Sequence, residues 1–302
     1  MRFSSAAAAA IMAAFPAVVS ADGMLGFAVG AVNPDNSCKS QQTYEAEFDA
    51  IAAASGSRIV RVYAAGQCDT AKNILPAAKV KGFQVVLGIW AYPEFSYDLD
   101  KNAILQYGPG YEQQIYAVSV GSETLYRKEF NGPQLAAKIK DFKQSAPQYK
   151  VGTADSWNMF NDGTGDAAIH EADIIFANAF SYWQGQDINN AANVFFDSIM
   201  QAFSHIQSVS GSLSKPELWV GETGWPSKGT KYQQAVPSIE NAARFFDEGI
   251  CAMVGSGFNV FAFEAFDEPN KAAAVGDDGS VADETSWGVM YVDMNKKYDI
   301  EC

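Results

Sequence analysis

Histidine is scarce in this sequence. The chain has 302 residues but only two histidines, and His170 and His205 lie far apart, without neighbours of the kind that bind metals. A zinc site draws on several His and Cys ligands, and a Ser-His-Asp triad needs a histidine beside its nucleophile. We therefore expect neither a metal site nor such a triad, and no cofactor.

Basic side chains are also few. The 21 Lys and Arg residues stand against 35 Asp and Glu residues, which gives a net charge of −14. Such a surface repels phosphate backbones, so we expect no nucleic-acid partner. The sequence also lacks a G-x-G-x-x-G segment that opens a helix after the first apolar run, which argues against a dinucleotide site. A neutral substrate fits this composition best.

Long apolar runs are missing beyond the N-terminal segment. Residues 1–21 combine Arg2, an Ala-rich run that Pro16 interrupts, and the small-residue pattern Val19-Ser20-Ala21. This pattern predicts a secretory signal peptide cleaved after Ala21 rather than a membrane span. The alternative is a buried N-terminal helix. We expect residues 22–302 to form an exported, monomeric domain with no membrane partner.

The four cysteines show no Cys-x-x-Cys spacing. In an exported chain, an even number of cysteines without that spacing favours two disulfides over a metal site or free thiols. Pairing Cys38 with Cys68 and Cys251 with Cys302 closes shorter loops than the crossed pairings. We expect these two bonds, although the sequence allows all three connectivities.

Eight short apolar runs, bounded by turn residues, alternate with stretches of helical period. The predicted strands are 24–30, 58–64, 83–90, 116–123, 150–157, 173–180, 217–223 and 259–266. Strands that are apolar on both faces and alternate with helices indicate a parallel sheet covered by helices. Eight such units favour a single (β/α)₈ TIM barrel over an open doubly wound sheet.

Two of the intervening helices can be predicted from apolar spacing. The first is indicated by Tyr44, Phe48 and Ile51 and ends at Gly56. The second ends near Gly211, and its apolar face consists of Phe196, Ile199, Met200, Phe203 and Ile206. Pro133 and Pro237 lie where the first turns of two further helices are expected.

The C-terminal ends of the predicted strands carry carboxylates and aromatic rings. In a barrel of this kind the reacting groups lie at those ends. The residues found there are Tyr63, Trp90, Glu123, Asp155, Trp157, Asn178, Tyr182, Trp183, Glu222, Trp225, Glu264, Asp267 and Glu268. Aromatic faces stack on sugar rings, and two carboxylates supply the acid and the nucleophile of glycosidic cleavage.

Each of these residues taken singly also has an ordinary structural interpretation. A Glu after a strand is often a surface charge or a partner of a helix N-terminus, and Ser122 could cap the helix that follows. A tryptophan near a strand end is more often part of the core. The same two side-chain types recur on several independent strand ends, however, and this coincidence favours a sugar-binding site.

Five segments resemble glycoside hydrolase family 17, and in particular its fungal cell-wall endo-β-1,3-glucanase and β-1,3-glucanosyltransferase group. They are VGSETLYR (120–127), VGETGWPSKG (220–229), FEAFDEPNK (263–271), RVYAAGQC (61–68) and ANAFSYWQG (177–185). The resemblance covers essentially the whole of residues 22–302. It implies a (β/α)₈ barrel, a retaining mechanism, β-1,3-glucan as the substrate and a location in the cell wall.

The resemblance also assigns roles to individual residues. It implies that Glu123 is the acid/base and Glu222 the nucleophile. The implied substrate-binding or supporting residues are Tyr63, Tyr182, Glu268, Lys271 and Glu284, and the strand-end analysis adds Trp90, Trp157, Asn178, Trp225 and Glu264. Ser122 departs from the Asn that plant members place before the acid/base, but the fungal group shares the serine.

The resulting hypothesis is double displacement, with the two carboxyl groups about 5 to 5.5 Å apart. Water or a second glucan can then take up the glycosyl group, so hydrolysis and transfer are two outcomes of one intermediate. Trp157, Tyr182 and Trp183 are candidate acceptor platforms. Glu264 either faces the sugar or pairs with Lys271. The alternative function is a non-catalytic wall protein that binds glucan in the same groove.

Overall fold

The computed structural model describes residues 22–275, 279 and 281–302. The predicted signal peptide, residues 1–21, lies outside the described residues. Within the described part of the chain, no helix is both long and apolar enough to cross a membrane.

Among residues 22–275, 279 and 281–302, eight parallel strands form a closed barrel in sequence order. The circle closes where β1 pairs with β8. The strands are β1 (Leu25–Ala28), β2 (Ile59–Arg61), β3 (Gln84–Ile89), β4 (Ile115–Ser122), β5 (Val151–Ser156), β6 (Ile174–Asn178), β7 (Glu217–Thr223) and β8 (Asn259–Ala262). The predicted (β/α)₈ barrel is confirmed.

Several strands leave the ladder earlier than their apolar runs suggest. β2 ends at Arg61 and β8 at Ala262, although the apolar pattern continues to residues 64 and 266. The chain beyond both strand ends turns toward the mouth of the barrel, where Tyr63 and Glu264 line a cleft. Tyr63 and Glu264, which follow β2 and β8, therefore line the cleft and lie outside the strands of the sheet.

Helices connect the strands and cover the outside of the barrel. They are α1 (Gln41–Ser55), α2 (Thr70–Lys81), α3 (Glu94–Tyr107), α4 (Gly132–Ser145), α5 (Trp157–Asn161), α6 (Asp166–Glu171), α7 (Ile188–Ser210), α8 (Ile239–Phe245) and α9 (Ala252–Gly255). A π-helical segment, Phe246–Cys251, joins α8 to α9. After β8, the two short strands Ala274–Val275 and Val281–Ala282 form an antiparallel pair.

The ends of α1 and α7 follow the capping signals in the sequence. Ser40 and Thr43 form a capping box at the start of α1, and Gly56 ends the helix with φ 72°. Gly211 ends α7 with φ 66°. Both glycines adopt the left-handed conformation that a residue with a Cβ adopts only at a cost.

Two of the predicted helix details are wrong. Phe196 and Met200 are 37% and 36% exposed, whereas Phe195 is buried. The apolar stripe of α7 is thus rotated relative to the predicted face. Pro237 lies outside α8, because Ser238 is the N-cap and accepts a hydrogen bond from the Asn241 N–H. Pro133, in contrast, lies in the first turn of α4.

The barrel interior below the cleft is filled by side chains from successive strands. A buried cluster consists of Ile59, Val86, Ala117, Ala154, Ile174, Phe176, Trp219 and Phe261. Trp219 stacks on Phe261 with ring centroids 4.7 Å apart. This packed floor gives the residues above it a rigid support, as expected for an eight-stranded barrel.

Two disulfides tie loops together on the outside of the barrel. Cys38 is bonded to Cys68, which joins the β1–α1 loop to the β2–α2 loop. Cys251 is bonded to Cys302, which joins the C-terminal residue to the π-helical segment. These are the two pairs that close the shorter loops.

Candidate active site

A cleft of about 560 Å³ lies at the C-terminal ends of the strands. This is the barrel face where enzymes with this fold hold their reacting groups. Ten of the twelve predicted catalytic and substrate-binding residues line it: Tyr63, Trp90, Glu123, Trp157, Asn178, Glu222, Glu264, Glu268, Lys271 and Glu284. The cleft therefore collects residues from most of the chain into one site.

Glu123 follows β4 in an unusual backbone conformation. Its φ is 58°, in the left-handed region, and Gly121, two residues before it, has φ 83°. The register between β4 and β5 shifts between Ser119 and Ser122, which is the kind of irregularity that redirects a side chain at a strand end. The next helix begins at Gly132 with Asn131 as its cap, so the alternative that Ser122 caps a helix is wrong.

Asp155 on β5 holds the turn that carries Glu123. Its carboxylate accepts hydrogen bonds from the backbone N–H groups of Leu125 at 2.8 Å and Tyr126 at 3.2 Å. It also accepts a hydrogen bond from the Ser156 N–H at 2.9 Å. Asp155 is fully buried, and burial raises its pKa to about 6, while the three backbone donors oppose that shift.

Asn178 on β6 connects the two candidate carboxylates. Its Nδ2 donates to Glu123 Oε1 at 3.0 Å, and its Cα is paired with that of Glu222 in the ladder. A Cβ on Gly221 would come within 2.5 Å of Asn178 Oδ1. The glycine before Glu222 therefore leaves space for the amide that contacts Glu123.

Glu222 ends β7 beside a buried arginine. Arg61 Nη1 lies 3.0 Å from Glu222 Oε1. Arg61 is 1% exposed, and it also donates to the Gly221 carbonyl at 2.7 Å and to Ser122 Oγ at 3.2 Å. The guanidinium thus contacts both strand ends that carry the candidate carboxylates, and its charge stabilises an ionised Glu222.

Arg61 is not among the residues predicted for the site. The predicted strand 58–64 places Arg61 in the interior of an apolar run, whereas β2 ends at Arg61. A signal was present in the sequence, because a charged residue inside an apolar strand requires a buried partner. The segment RIVRVYA contains such a charge at Arg61.

The two carboxylates have different electrostatic environments. Burial, and next the charge of Glu222, raise the pKa of Glu123 to about 7, and the hydrogen bond from Asn178 opposes the shift. Glu222 instead has the Arg61 guanidinium against it. Glu123 therefore carries a proton at mildly acidic pH while Glu222 is positioned to be an anion, which is the division of roles that acid-assisted nucleophilic cleavage needs.

Lys271 organises the acidic residues at the β8 side of the cleft. Its Nζ lies 3.1 Å from both carboxylate oxygens of Glu264 and 3.4 Å from Glu268 Oε2. Glu264 is 2% exposed, so its charge needs this partner. Of the two alternatives for Glu264, the structure shows the ion pair with Lys271. Glu264 also contributes to the wall of the cleft.

Several aromatic rings line the cleft. The predicted residues Tyr63, Trp90, Trp157 and Trp183 are among them, and Phe180 is an addition that was not predicted. The Arg127 guanidinium lies over the Trp90 ring, 4.7 Å from its centroid, and Arg127 itself lines the cleft. One face of Trp90 is therefore covered by a cation, while Trp157 and Trp183 supply further ring surface.

Two predicted substrate-binding residues, Tyr182 and Trp225, lie behind the cleft and do not line it. Tyr182 is 2% exposed and Trp225 3% exposed. The Tyr182 hydroxyl donates to the Thr230 carbonyl, and Trp225 Nε1 donates to the Val236 carbonyl. Both polar groups thus find partners in the loop after β7, and the two rings pack edge to face against each other at 5.4 Å.

Comparison with known proteins places this site in a family. A family model for the BtgE/BtgC glycoside hydrolase domain matches residues 26–288. A glucan 1,3-beta-glucosidase of Arthroderma benhamiae is 46% identical over 304 residues, covering 100% of this chain and 98% of that protein. A glucan 1,3-beta-glucosidase of Saccharomyces cerevisiae is 42% identical over 319 residues, covering 100% of this chain and 99% of that protein.

A solved structure shows the same architecture. The glycoside hydrolase family 17 beta-1,3-glucanosyltransferase of Rhizomucor miehei matches with a TM-score of 0.78 and 29% sequence identity, covering 92% of this chain and 98% of that chain. An active-site mutant of that enzyme has been solved in complex with laminaritriose. This chain belongs to the BtgE/BtgC glycoside hydrolase domain family, within the fungal group of glycoside hydrolase family 17.

Proposed function

We propose that this protein is a retaining glycosidase that acts on β-1,3-glucan by double displacement. The observation that carries the proposal is the pair of carboxylates at the ends of β4 and β7, of which Glu222 is buried and Glu123 partly buried. Asn178 contacts Glu123 with a neutral amide, whereas Arg61 contacts Glu222 with a full positive charge. Burial and the nearby charge of Glu222 favour a protonated Glu123 in spite of the Asn178 hydrogen bond, and the Arg61 guanidinium favours an ionised Glu222 at the same pH.

In the first step, a Glu222 oxygen attacks the anomeric carbon. The bond from that carbon to the glycosidic oxygen breaks, and Glu123 gives its proton to the leaving oxygen. In the second step, Glu123, now a carboxylate, takes a proton from the acceptor hydroxyl. The acceptor oxygen bonds to the anomeric carbon, and the bond to Glu222 breaks. Both carboxylates return to their starting states.

The substrate follows from the relatives and from the cleft. The fungal relatives are named for 1,3-β-linked glucan, and the Rhizomucor enzyme has been solved with laminaritriose. A cleft lined by aromatic rings and carboxylates suits a neutral chain of glucose units. We propose that internal units of a glucan also bind in this cleft.

Hydrolysis and transfer share the glycosyl-enzyme intermediate. Transfer prevails when a second glucan binds well enough to exclude water from the intermediate. Trp157 on the β5 side of the cleft and Trp183 on the β6 side are suitable platforms for such an acceptor. We therefore propose that transfer onto a second β-1,3-glucan competes with hydrolysis and prevails at high acceptor concentration.

We also propose that the protein acts outside the cell as a monomer that remodels the fungal wall. Residues 1–21 would direct export and be removed, and residues 22–302 would form the single catalytic domain. Disulfides persist in oxidising compartments, and both Cys38–Cys68 and Cys251–Cys302 are formed. This agrees with an extracellular location.

Product analysis with laminari-oligosaccharides tests the assignment. Glu222→Gln should lower kcat by roughly 10⁴-fold or more, because no nucleophile of the right charge remains. Glu123→Ala should lose roughly 10² to 10⁴-fold, and added azide should restore turnover as a β-configured glycosyl azide. Glu240→Gln, an exposed substitution on α8, is the matched control and should leave activity unchanged.

Two results would contradict the proposal. If the wild-type protein bound oligosaccharides but produced neither shorter nor longer chains, the protein would be the alternative non-catalytic glucan binder. An azide product with inverted configuration from Glu123→Ala would show that the mechanism is not retaining.

A further inference from the structure

Three large apolar side chains stand exposed beside the entrance of the cleft. Tyr92 is 49% exposed, Phe95 72% and Leu99 53%. Burying apolar side chains of this size stabilises a protein, and these three leave about half or more of their surface exposed. We call these three side chains the rim patch. Single exposed apolar residues are ordinary, but a group of them marks an interaction surface.

The three residues are neighbours. Phe95 and Leu99 lie four positions apart on α3 (Glu94–Tyr107), so they are adjacent on one face of the helix. Tyr92 comes just before the N-cap residue of α3, Pro93. Its ring packs edge to face on Phe130, with centroids 6.1 Å apart. The patch therefore runs from the end of β3 along the first turns of α3.

The rim patch is continuous with the cleft. Trp90, two residues before Tyr92, lines the cleft. Phe130, which contacts Tyr92, ends the loop that begins at Glu123 and includes the cleft residues Tyr126 and Arg127. β3 and β4 are adjacent in the barrel. The patch thus extends the cleft outward on the side of the acid/base.

We infer that the rim patch is a second contact surface for polymeric β-1,3-glucan, which binds a part of the chain that lies beyond the cleft. This inference rests on the proposed function. Tyrosine and phenylalanine rings stack on the apolar faces of sugar rings, and a neutral polymer is compatible with the acidic surroundings. Glu94 beside the patch is paired with Lys138, so no free cation at that position calls for an anionic partner.

A protein partner fits the patch less well. Stable protein interfaces bury about 1,200 to 2,000 Å² in total, far more than three side chains supply. Self-association is further opposed by the net charge of −14, because two copies repel each other. A glucan chain can bind to a single row of apolar side chains, each about the size of one sugar ring. The rim patch is such a row, and it lies next to the cleft residue Trp90.

The consequence is a dependence on chain length. A short oligosaccharide that fits inside the cleft gains nothing from the patch. A polymer bound at both places gains the second contact at high effective concentration. The rim patch should therefore lower KM for polymeric glucan without changing kcat.

The test compares Tyr92→Ser/Phe95→Ser with the control Leu213→Ser. Leu213 is 84% exposed, but it lies in the connection that enters β7 (Glu217–Thr223), at the opposite end of the barrel. Phe95 and Leu213 are mostly exposed and Tyr92 is 49% exposed, so the replacements should lower the melting temperature only slightly and leave each protein folded. Binding to insoluble β-1,3-glucan by sedimentation, and KM for soluble polymer and for laminaritetraose, are measured for each protein.

We expect the double variant to bind insoluble glucan about 3- to 10-fold more weakly, the effect of losing two modest stacking contacts. KM for the polymer should rise by a similar factor, and laminaritetraose kinetics and the Leu213→Ser control should match wild type. Unchanged polymer binding, or an equal loss on laminaritetraose, would overturn the inference. If the double variant, without glucan, had a lower sedimentation coefficient than the wild type, the rim patch would be a contact between copies of the protein, and the inference would be wrong.

The sedimentation assay keeps the two proposals apart. If the wild-type protein did not cleave or extend glucan, the proposed function would fail. Weaker binding of the double variant to insoluble glucan would still support the rim patch in that case. If the wild-type protein cleaved or extended glucan and the double variant bound polymer as well as the wild type, the inference about the rim patch would be wrong. The proposed function would be unaffected.

Discussion

Arg61 and Glu222 form an ion pair with 3.0 Å between Nη1 and Oε1, in which Glu222 lines the cleft and Arg61 is buried behind it. Arg61 is 1% exposed and Glu222 is 7% exposed. Removing one partner of such a pair leaves an uncompensated buried charge, which costs far more than the net contribution of the pair itself. The relationship makes Arg61 a positioning residue for the proposed nucleophile.

Arg61→Met should lower the free energy of unfolding by about 3 to 5 kcal/mol, because Glu222 is then buried without a counter-charge. Chemical denaturation measures the loss. In the double variant Arg61→Met/Glu222→Gln, the unpaired charge is absent, so the loss should be clearly smaller than the sum of the two single losses. Strict additivity would show that the two side chains are not coupled.

The activity should decline as the pH rises through about 7. The proposed first step requires a protonated Glu123, whose pKa is raised to about 7 by burial and by the charge of Glu222. The alkaline limb of the kcat/KM profile reports this group in the free enzyme. An alkaline limb near the ordinary value of 4.5 for a glutamate would contradict the assignment of Glu123 as the acid.

Asp155→Asn should lower kcat and move the alkaline limb to lower pH. The amide that replaces one carboxylate oxygen is a poorer partner for the N–H groups of Leu125 and Tyr126, so the turn with Glu123 is held less firmly. The variant also removes a negative charge that contributes to the raised pKa of Glu123. A purely structural role would reduce kcat without moving the pH profile.

Glu123→Gln should make the protein more stable than wild type, and the gain should grow as the pH rises from 5 to 8. The pKa of Glu123 is raised in the folded state, so the folded protein binds a proton that the unfolded chain has released between the two pKa values. Stability is therefore lost as the pH rises through that window. The glutamine cannot ionise, and melting temperatures across this pH range measure the difference.

Gly30→Ala should reduce kcat/KM without unfolding the protein. A Cβ at position 30 would lie 1.7 Å from Glu268 Oε1, so the carboxylate must move and its contact with Lys271 changes. Gly255→Ala is the matched control, because a Cβ there meets nothing within 4 Å. Wild-type activity in Gly30→Ala would show that the position of Glu268 is unimportant for turnover.

The architecture could be predicted because its signal is local and repeated. Each strand, such as ELWVGET on β7, is an apolar run, and each of β1 to β7 is followed by a segment of helical period. Because Glu123 and Glu222 both follow the C-terminal ends of predicted strands, the sequence also predicts that they lie on the same face of the barrel. The motifs around these two residues also indicate the family from the sequence alone.

Side-chain direction after a strand end could not be predicted in the same way. Trp225 and Trp157 both follow carboxylate-bearing strands, but Trp225 is buried with its N–H on the Val236 carbonyl, and Trp157 lines the cleft. The choice depends on a hydrogen-bond acceptor contributed by a later loop. The rotated apolar stripe of α7 has a similar cause, because the tilt of the helix on the barrel decides which side chains are covered.

The sequence by itself determined the barrel and the strands that carry the carboxylates, because these follow from periodicity and from order along the chain. It favoured the two disulfides with the shorter loops but allowed all three connectivities, and the structure showed which one forms. Only the tertiary structure decided which partner each charge received. Arg61 reached Glu222 and Lys271 reached Glu264 because a buried charge must find its counter-charge in space. Closure of the barrel brought Arg61 and Glu222 together from distant parts of the chain, whereas Lys271 lies seven residues after Glu264 and pairs with it through the local path of the chain beyond β8.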